Sequence, residues 1–480
     1  MRMPDAAGHI IKILRQNGYE AYIVGGCVRD MLLHREPKDW DITTSARPDV
    51  IKRLFRRTVD TGIEHGTVTV LIGSEGYEVT TYRIDGKYED HRHPDSVIYT
   101  TSLEEDLKRR DFTINAMAYS DEDGTVDLFL GQQDLKDGVI RCVGDPGERF
   151  EEDALRMLRG VRFAGQLGFD IEDETYRAMC DRSATIANVS AERIQVELSK
   201  LIISKGADKI RLAYEAGLTR VFFPEFDKMM ECEQHNPHHC YTVGEHTIHV
   251  IERVNSLIGE TGIYDGAAGD NKYALSLDKL SMTPQKLHIA LAYAALLHDV
   301  AKPVCLTTDE AGVDHYYGHD VKGDELAGQF IRRMKLDNDT RRLVKALVRY
   351  HDVRYKYCVD DEGNYSPGGK RAMRRLVNKV GRDVMVWLFV LQRADIYAQS
   401  EYRKEEKLHV LEAGIRCFEE ICEDADAVDI SELAITGRDL IEEKGYTTGP
   451  DIGRELNRLL ELVMDDPGLN TREGLMELVK

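Results

Sequence analysis

The sequence predicts an α+β protein: a mixed-sheet head over roughly the first 140 residues, then helices to the end of the chain. Three observations predict it. Short apolar or β-branched runs alternate with helix-like segments in the first part. From about Glu148 apolar residues recur at helical spacing instead. Two later runs, Ile289 to Leu297 and Val384 to Leu391, are apolar on nearly all sides, which places them inside a helical body.

In the head, Ile10 to Gln16 reads as a helix and Ala21 to Val24 as a short strand. Gly25-Gly26 follows, then a helix from about Val28 to Leu33, and a strand over Trp40 to Thr43. Thr67 to Ile72 and Tyr77 to Arg83, joined by Gly73-Ser74-Glu75-Gly76, give a hairpin signal. Further on, Leu155, Leu158, Val161 and Leu167 mark one apolar side of a helix, which Gly168 ends. Ala191 to Ile203 is another amphipathic helix. Gly259 to Thr283 and Asp360 to Gly369 read as long loops, because Gly, Asp, Ser and Pro collect there.

Composition narrows the class. Hydrophobic residues at 42% and charged residues at 31% are the balance of a globular protein. No apolar stretch is long enough to cross a membrane, and the first residues lack the apolar core of a signal peptide. Nine scattered cysteines without a Cys-x-x-Cys pair predict reduced thiols and a cytoplasmic setting. A net charge of -21 argues against a nonspecific nucleic-acid coat, so no DNA partner is expected. It leaves room for a local basic cleft, for which Lys108-Arg109-Arg110 and Arg156, Arg159 and Arg162 are candidates.

The most informative segment is Gly25-Gly26-Cys27-Val28-Arg29-Asp30, followed by Asp39-Trp40-Asp41. Glycines after a strand let backbone approach a ligand, and helix amides beyond them suit phosphate. Arg29 adds a forked donor. Asp39 and Asp41, two apart on the expected strand, share a face and repel unless a cation lies between them. Hard oxygen ligands suit Mg²⁺, which bridges carboxylates and triphosphate oxygens. Glu78, on a neighbouring strand, is the candidate third carboxylate of a two-metal site. Taken alone, Asp-x-Asp is more readily a solvated pair; the Gly-Gly-x-x-Arg-Asp segment upstream reverses that balance.

These motifs resemble the class II CCA-adding enzyme and bacterial poly(A) polymerase family. Three further segments resemble that family in order: Arg109-Arg110-Asp111-Phe112-Thr113, Glu152-Asp153-Ala154-Leu155-Arg156 running into Arg159 and Arg162, and Ala191-Glu192-Arg193-Ile194 with Glu197. Ile435-Thr436-Gly437-Arg438-Asp439-Leu440 with Asn470-Thr471 is similar to its C-terminal region. The resemblance implies template-independent addition of CCA, or its terminal part, to the 3′ end of tRNA from CTP and ATP. Asp39, Asp41 and Glu78 would be catalytic, and Gly25, Gly26, Arg29, Arg110, Asp153, Arg156, Arg159 and Arg162 would bind nucleotide. Spaced three apart on one helix face, Asp153 would accept the exocyclic amine that C and A share, and Arg156 would donate to their ring acceptors. Tyr88 to Pro94 resembles the loop with which full CCA-adding enzymes switch from C to A. The alternatives are a poly(A) polymerase, whose usual basic C-terminal extension is missing here, or a partial CC- or A-adding enzyme.

A second constellation is His246, His298-Asp299, His319, His351 and Asp395. His298-Asp299 ends one apolar helix and Asp395 follows another, and a buried lone carboxylate is costly unless it meets a cation. The spacing resembles the HD phosphohydrolase superfamily. That implies His246, His298, Asp299 and Asp395 as core ligands, with His319 and His351 for a second metal. The implied ion is Mn²⁺, Ni²⁺, Co²⁺, Fe²⁺ or Mg²⁺, serving phosphoester hydrolysis such as that of 2′,3′-cyclic phosphates and 2′-phosphates. A protein that is mainly an HD phosphodiesterase is the alternative from another class. His235, His238 and His239 read as surface residues or contacts of the domain's first helix.

Four parts are therefore expected: a nucleotidyltransferase head over 1–140, a helical neck over 141–225, an HD-type helical domain over 226–425 and a helical tail over 426–480. Oligomeric state is open at this stage.

Overall fold

The computed structural model describes residues 3–85, 97–264 and 272–480. It has the expected α+β architecture, and the chain divides into two compact units, Met1–Asp227 and Lys228–Lys480.

The first unit opens with α1 (Asp5–Gln16), whose Ala7, Ile10, Ile11 and Leu14 are buried along one stripe. Strand β1 (Ala21–Val24) turns through Gly25 into α2 (Gly26–Leu32), and β2 (Ile42–Thr44) follows. Next come β3 (Thr58–Gly62), β4 (Thr67–Ile72), β5 (Glu75–Thr81), β6 (Met117–Ser120) and β7 (Gly124–Asp127). These seven form one mixed sheet in the order β3-β4-β5-β2-β1-β6-β7. β2 runs parallel to β5, with Ile42 opposite Val79, and the other neighbours are antiparallel. The β4–β5 hairpin is tighter than expected. Its strands pair from Thr67–Thr80 to Ile72–Glu75, so only Gly73 and Ser74 make the turn, and Gly73 takes φ +63.

The helix expected through Glu152 to Arg162 is broken. Helix α3 (Pro146–Glu152) ends where Asp153 turns extended at φ -147, and α4 (Leu155–Leu167) then starts. The carboxylate explains the break: Asp153 Oδ1 accepts the Leu155 amide at 3.1 Å, the local bond that makes Asp a helix starter and a poor interior residue. Helix α4 stops as expected at Gly168, φ +76, and α5 spans Ala191–Ile202.

The second unit is helical. Its main elements are α6 (Val243–Glu260), α7 (Pro284–Leu297), α8 (His319–Arg333), α9 (Asn338–Tyr350), α10 (Arg382–Ala398) and α11 (Lys404–Glu423). Leu291, Leu296, Trp387, Leu388 and Leu391 are fully buried, as all-round apolar helices require. The loop expected over 259–283 is corrected in part: Lys272–Leu280 is a helix. Its Ser276 accepts the Trp387 indole N–H at 2.8 Å and donates to the Asp383 carbonyl at 2.6 Å. Its polar composition hid a helix that tertiary contacts hold. Near the C-terminus, Leu433, Ile435, Leu440, Leu459 and Leu475 share a small core of their own.

Candidate active site and metal centre

In the first unit the acidic pair precedes its strand instead of lying on it. β2 begins at Ile42, and Asp39 and Asp41 lead into it, both exposed. The parallel pairing of Ile42 with Val79 continues backwards to bring Asp41 beside Glu78. Burial of Tyr77 and Val79 turns Glu78 to the exposed face. The carboxyl of Asp41 sits low enough to be desolvated, which raises its pKa. Arg110 opposes the rise, and the negative fields of Glu78 and Asp39 add to it. Three carboxylates thus converge on one place, with an arginine beside them.

The glycine turn lies under that arginine. Gly25 takes φ +81, and a Cβ built on it would stand 3.0 Å from Arg110 Nη1. Only glycine serves both the conformation and the close approach without strain. Arg110 is steered by Asp106, which is completely buried and pairs with Arg109 at 2.8 Å and Arg110 at 3.5 Å. Thr43, on β2, donates to the same carboxylate at 3.0 Å. Burial alone would raise the Asp106 pKa, but the two arginines bring it below its ordinary value.

Arg29 is drawn inward. Its guanidinium donates to Asn115 at 2.7 Å and to Asp30 at 2.9 Å, and it lies over the Phe163 ring at 5.0 Å. Asn115 in turn donates to Asp111 at 3.1 Å, and Asp111 receives Arg159 through two bonds of 2.9 and 2.6 Å. Burial opposes the Asp111 charge, yet Arg159 and Asn115 hold its pKa far below the usual carboxylate range. Arg162 bonds Glu197 of α5 and stacks over Phe163 at 3.8 Å. Asp153 meets Arg193 of α5 at 2.6 Å, and Arg156 donates to the carbonyls of Arg149 and Arg109 and to Glu152. Asp153 and Arg156 therefore flank a helix break and do not share a continuous helical face. Arg159 and Arg162, expected to face triphosphate or base, each hold a protein carboxylate. The Tyr88 to Pro94 segment lies outside the described residues.

The second unit gathers all six residues named for it. His298 and Asp299 follow α7, His319 opens α8, His351 follows α9, and His246 and Asp395 come from α6 and α10. Asp299 is shared by two groups of ligand atoms, one with His246 and His298 and one with His319 and His351. Within each group these atoms lie within 4.8 Å of one another. Asp395 stands beside the first group, 3.0 Å from His246 Nε2 and 3.9 Å from His298 Nε2.

The ring orientations fit metal ligation. Nδ1 of His298, His319 and His351 donates to the carbonyls of Ala295, Tyr316 and Val348 at 2.7, 2.8 and 2.7 Å. A carbonyl only accepts, so each ring carries its proton on Nδ1 and turns the Nε2 lone pair inward when neutral. His298 Nε2 and Asp299 Oδ1 are enclosed and lack a hydrogen bond of acceptable geometry, although Asp299 Oδ2 and His351 Nε2 lie 3.1 and 3.5 Å from them. Buried ligand atoms facing one another in this way fit a cation. Burial works against charge throughout, yet Asp299 and Asp395 are held well below the ordinary carboxylate range. Asp299 is held there by His298 and Lys302, and Asp395 by His246 and His298. Asp299, His319, His351 and Asp395 border a cavity of about 860 Å³ that His238 and His239 also line.

Three family models match the chain: the poly A polymerase head domain over residues 21–141, the RNA and SrmB-binding site of polymerase A over 168–230, and tRNA nucleotidyltransferase domain 2 over 320–479. Each of these models describes a poly(A) polymerase or tRNA nucleotidyltransferase part, and together they span most of the chain. CCA-adding enzymes of Lactiplantibacillus plantarum and Levilactobacillus brevis are 54% and 56% identical to it over 201 and 198 residues. Those matches cover 42% and 41% of this chain and 49% and 50% of the relatives, so the chain spans about half the length of the curated relatives it matches. The Bacillus stearothermophilus CCA-adding enzyme in complex with CTP superposes with a TM-score of 0.68 at 27% identity, over 100% of this chain and 98% of that one. The Thermotoga maritima CCA-adding enzyme complexed with tRNA shares the fold, with a TM-score of 0.58 at 20% identity over 99% and 94% of the two chains.

Several residues that shape the two sites have no role assigned to them from the sequence. Arg193 lies in a family-like segment but holds Asp153, Asn115 bridges Arg29 and Asp111, and Asp106 holds Arg109 and Arg110 at a spacing of three and four, a usable signal. Lys302, buried and 2.7 Å from Asp299, sits four residues after His298, and a charge so close to an apolar helix end was a usable signal. His239, expected as a surface residue or a contact of the domain's first helix, is such a contact. Its ring lies 5.2 Å from that of His246, and burial drives its pKa down to about 2.

Proposed function

We propose that the chain adds C, C and A in turn to the 3′ end of tRNA, using CTP and ATP, in the cytoplasm. The convergence of Asp39, Asp41 and Glu78 beside Arg110 and the Gly25 turn carries this reading. Carboxylates that repel one another at the exposed face of a sheet suit Mg²⁺, which when bound supplies charge for an in-line attack on the α-phosphate. The chain's own part is positioning. Gly25 and Gly26 admit the triphosphate close to backbone, and Arg110 supplies a fixed positive charge beside it. Asp153 and Arg156, freed from Arg193 and Glu152, would offer a carboxylate and a guanidinium to the base edge that C and A share. Domain limits at 140, 225 and 425 belong to the same proposal.

The second unit is proposed as a metal-dependent phosphoester hydrolase. His246, His298, Asp299, His319 and His351 would hold the ions, with Asp395 beside them. Mn²⁺, Ni²⁺, Co²⁺ or Fe²⁺ suits the imidazole-rich set, and when bound the ions activate water for attack on phosphorus.

The test is incubation of the purified chain with tRNA lacking its last three nucleotides, CTP, ATP and Mg²⁺. Ordered growth by C, C and A is expected. Homopolymeric A tails on arbitrary RNA would make it a poly(A) polymerase, and growth that stops after two C residues would make it a CC-adding enzyme.

A further inference from the structure

The cavity above the histidine-aspartate centre has a basic wall. Lys407 of α11 reaches into it, together with Arg403 and Arg354. Arg354 holds Asp352 at 2.5 Å, and Arg403 holds Glu406. Lys407 has no such neighbour. Its ammonium donates to the side-chain oxygen of Gln399 at 2.7 Å, a neutral group, and no carboxylate pairs with it among the described residues. The amide of Gln399 donates to both oxygens of Asp395 at 3.0 Å. Lys407 therefore stands two hydrogen bonds from the ligand cluster, close to it yet distinct from it.

Lys407 is thus a cavity-wall cation without an ion-pair partner among the described residues, in a chain of net charge -21. Burial lowers the Lys407 pKa and Arg354, Lys404 and Arg403 lower it further, against the raising field of Asp395. His238, on the same wall, is lowered by burial and then by Lys407, Arg403 and Arg354. Crowded cations that lower one another are relieved by an anion. The reacting phosphate belongs on the cavity floor, where Lys302 already accompanies the ligands. At the mouth, Tyr317 is 77% exposed and stacked on His315, a flat surface of the kind on which a base packs.

We propose that Lys407 is the centre of an anion subsite holding a second, non-reacting phosphate, so that this site takes nucleotide-type phosphoesters bearing two phosphates. The subsite rests on the hydrolase reading of the same cavity. Two sources carry that chemistry, a free nucleoside bisphosphate and the 3′-phosphorylated end of an RNA.

The test uses the full chain loaded with Mn²⁺ or Ni²⁺ and three substrates: bis(p-nitrophenyl) phosphate, adenosine 3′,5′-bisphosphate and an oligoribonucleotide with a 3′-phosphate. In Lys407→Met, kcat/KM for at least one two-phosphate substrate should fall tenfold or more relative to that for bis(p-nitrophenyl) phosphate. The fall should lie mainly in KM, and Lys407→Arg should restore most of it. A fall confined to adenosine 3′,5′-bisphosphate points to free nucleotides, and a fall confined to the oligonucleotide points to RNA. An equal fall on all three substrates overturns the subsite, because Lys407 would then act through Gln399 on Asp395; no change overturns it too. If the unmutated chain hydrolyses none of the three, the hydrolase reading fails by itself. The subsite is then judged by calorimetric titration of adenosine 3′,5′-bisphosphate into the Asp41→Ala chain. Binding that Lys407→Met abolishes sustains it, and equal or absent binding overturns it.

Discussion

The two acidic centres of this molecule handle charge repulsion in opposite ways. In the second unit the carboxylates of Asp299 and Asp395 are buried and interleaved with imidazoles and the Lys302 ammonium, so each negative charge already has a positive or donating neighbour. In the first unit Asp39, Asp41 and Glu78 are exposed, and mutual repulsion helps to raise the Asp41 pKa. The buried centre is a cage whose ligand atoms are fixed by helix ends and backbone carbonyls. The open centre sits at a sheet face, which suits a charged substrate that comes and goes with its counter-ions. The rigidity that the first unit lacks at its carboxylates it has one layer back, where Asp106 and Asp111 lock the arginines. Exposed acids on a basic frame thus suit an exchanging ligand, and a buried, mixed ligand set suits a resident ion.

The sharpest way to break this contrast is to remove one acid from each centre. Asp41→Ala should lower nucleotide addition to trimmed tRNA by about a thousandfold or more, the scale expected when transition-state charge loses its counter-charge, while bis(p-nitrophenyl) phosphate hydrolysis persists. Asp299→Ala should do the reverse. It should abolish that hydrolysis and the bound transition metal, measured by elemental analysis, and leave addition of C, C and A intact. Loss of both activities in either variant would mean that the two centres are not independent.

The basic frame gives a smaller, structural effect. Asp111→Asn takes the main carboxylate from Arg159, which is half-buried and keeps Glu197 at 3.8 Å, and should cost about 1–3 kcal/mol in urea unfolding of the first unit, the scale of a lost charged hydrogen-bond partner. The pH dependence has a definite sign. The folded Asp111 pKa lies below its ordinary value of 3.8, so its contribution is complete above that pH and is lost as pH falls further. Thermal unfolding followed from pH 5 down to pH 2 should show this decline below about pH 4, and Asp111→Asn should flatten it. The smallest effect is expected at the turn. Gly25→Ala forces a Cβ into a left-handed conformation and against Arg110, for about 1–2 kcal/mol of stability. Addition should weaken mainly through KM for the nucleotide.

Much of this was legible in the sequence, and where it was not the reason is physical. Local chemistry alone specified the glycine turn at Gly25, the helix stop at Gly168, the hairpin and the buried α7 and α10, because turn residues and hydrophobic period act over a few neighbours. The acidic triad was legible as residue types, but Asp39 and Asp41 lie ahead of the strand, and the β2–β5 register sets their approach to Glu78. Asp153 shows the same limit. Its spacing to Arg156 suggested a shared helix face, and its capping bond to Leu155 broke the helix there.

The chain by itself therefore determined most element types, the family-like motifs and the inventory of acids, histidines and arginines. Tertiary structure alone decided the distant pairings, Asp111 with Arg159 and Glu197 with Arg162, which lie 48 and 35 positions apart. Asp106 with Arg109 and Arg110, and Lys302 with Asp299, are three or four apart, yet their burial, like that of the distant pairs, exists only once the chain has folded into a low-dielectric interior.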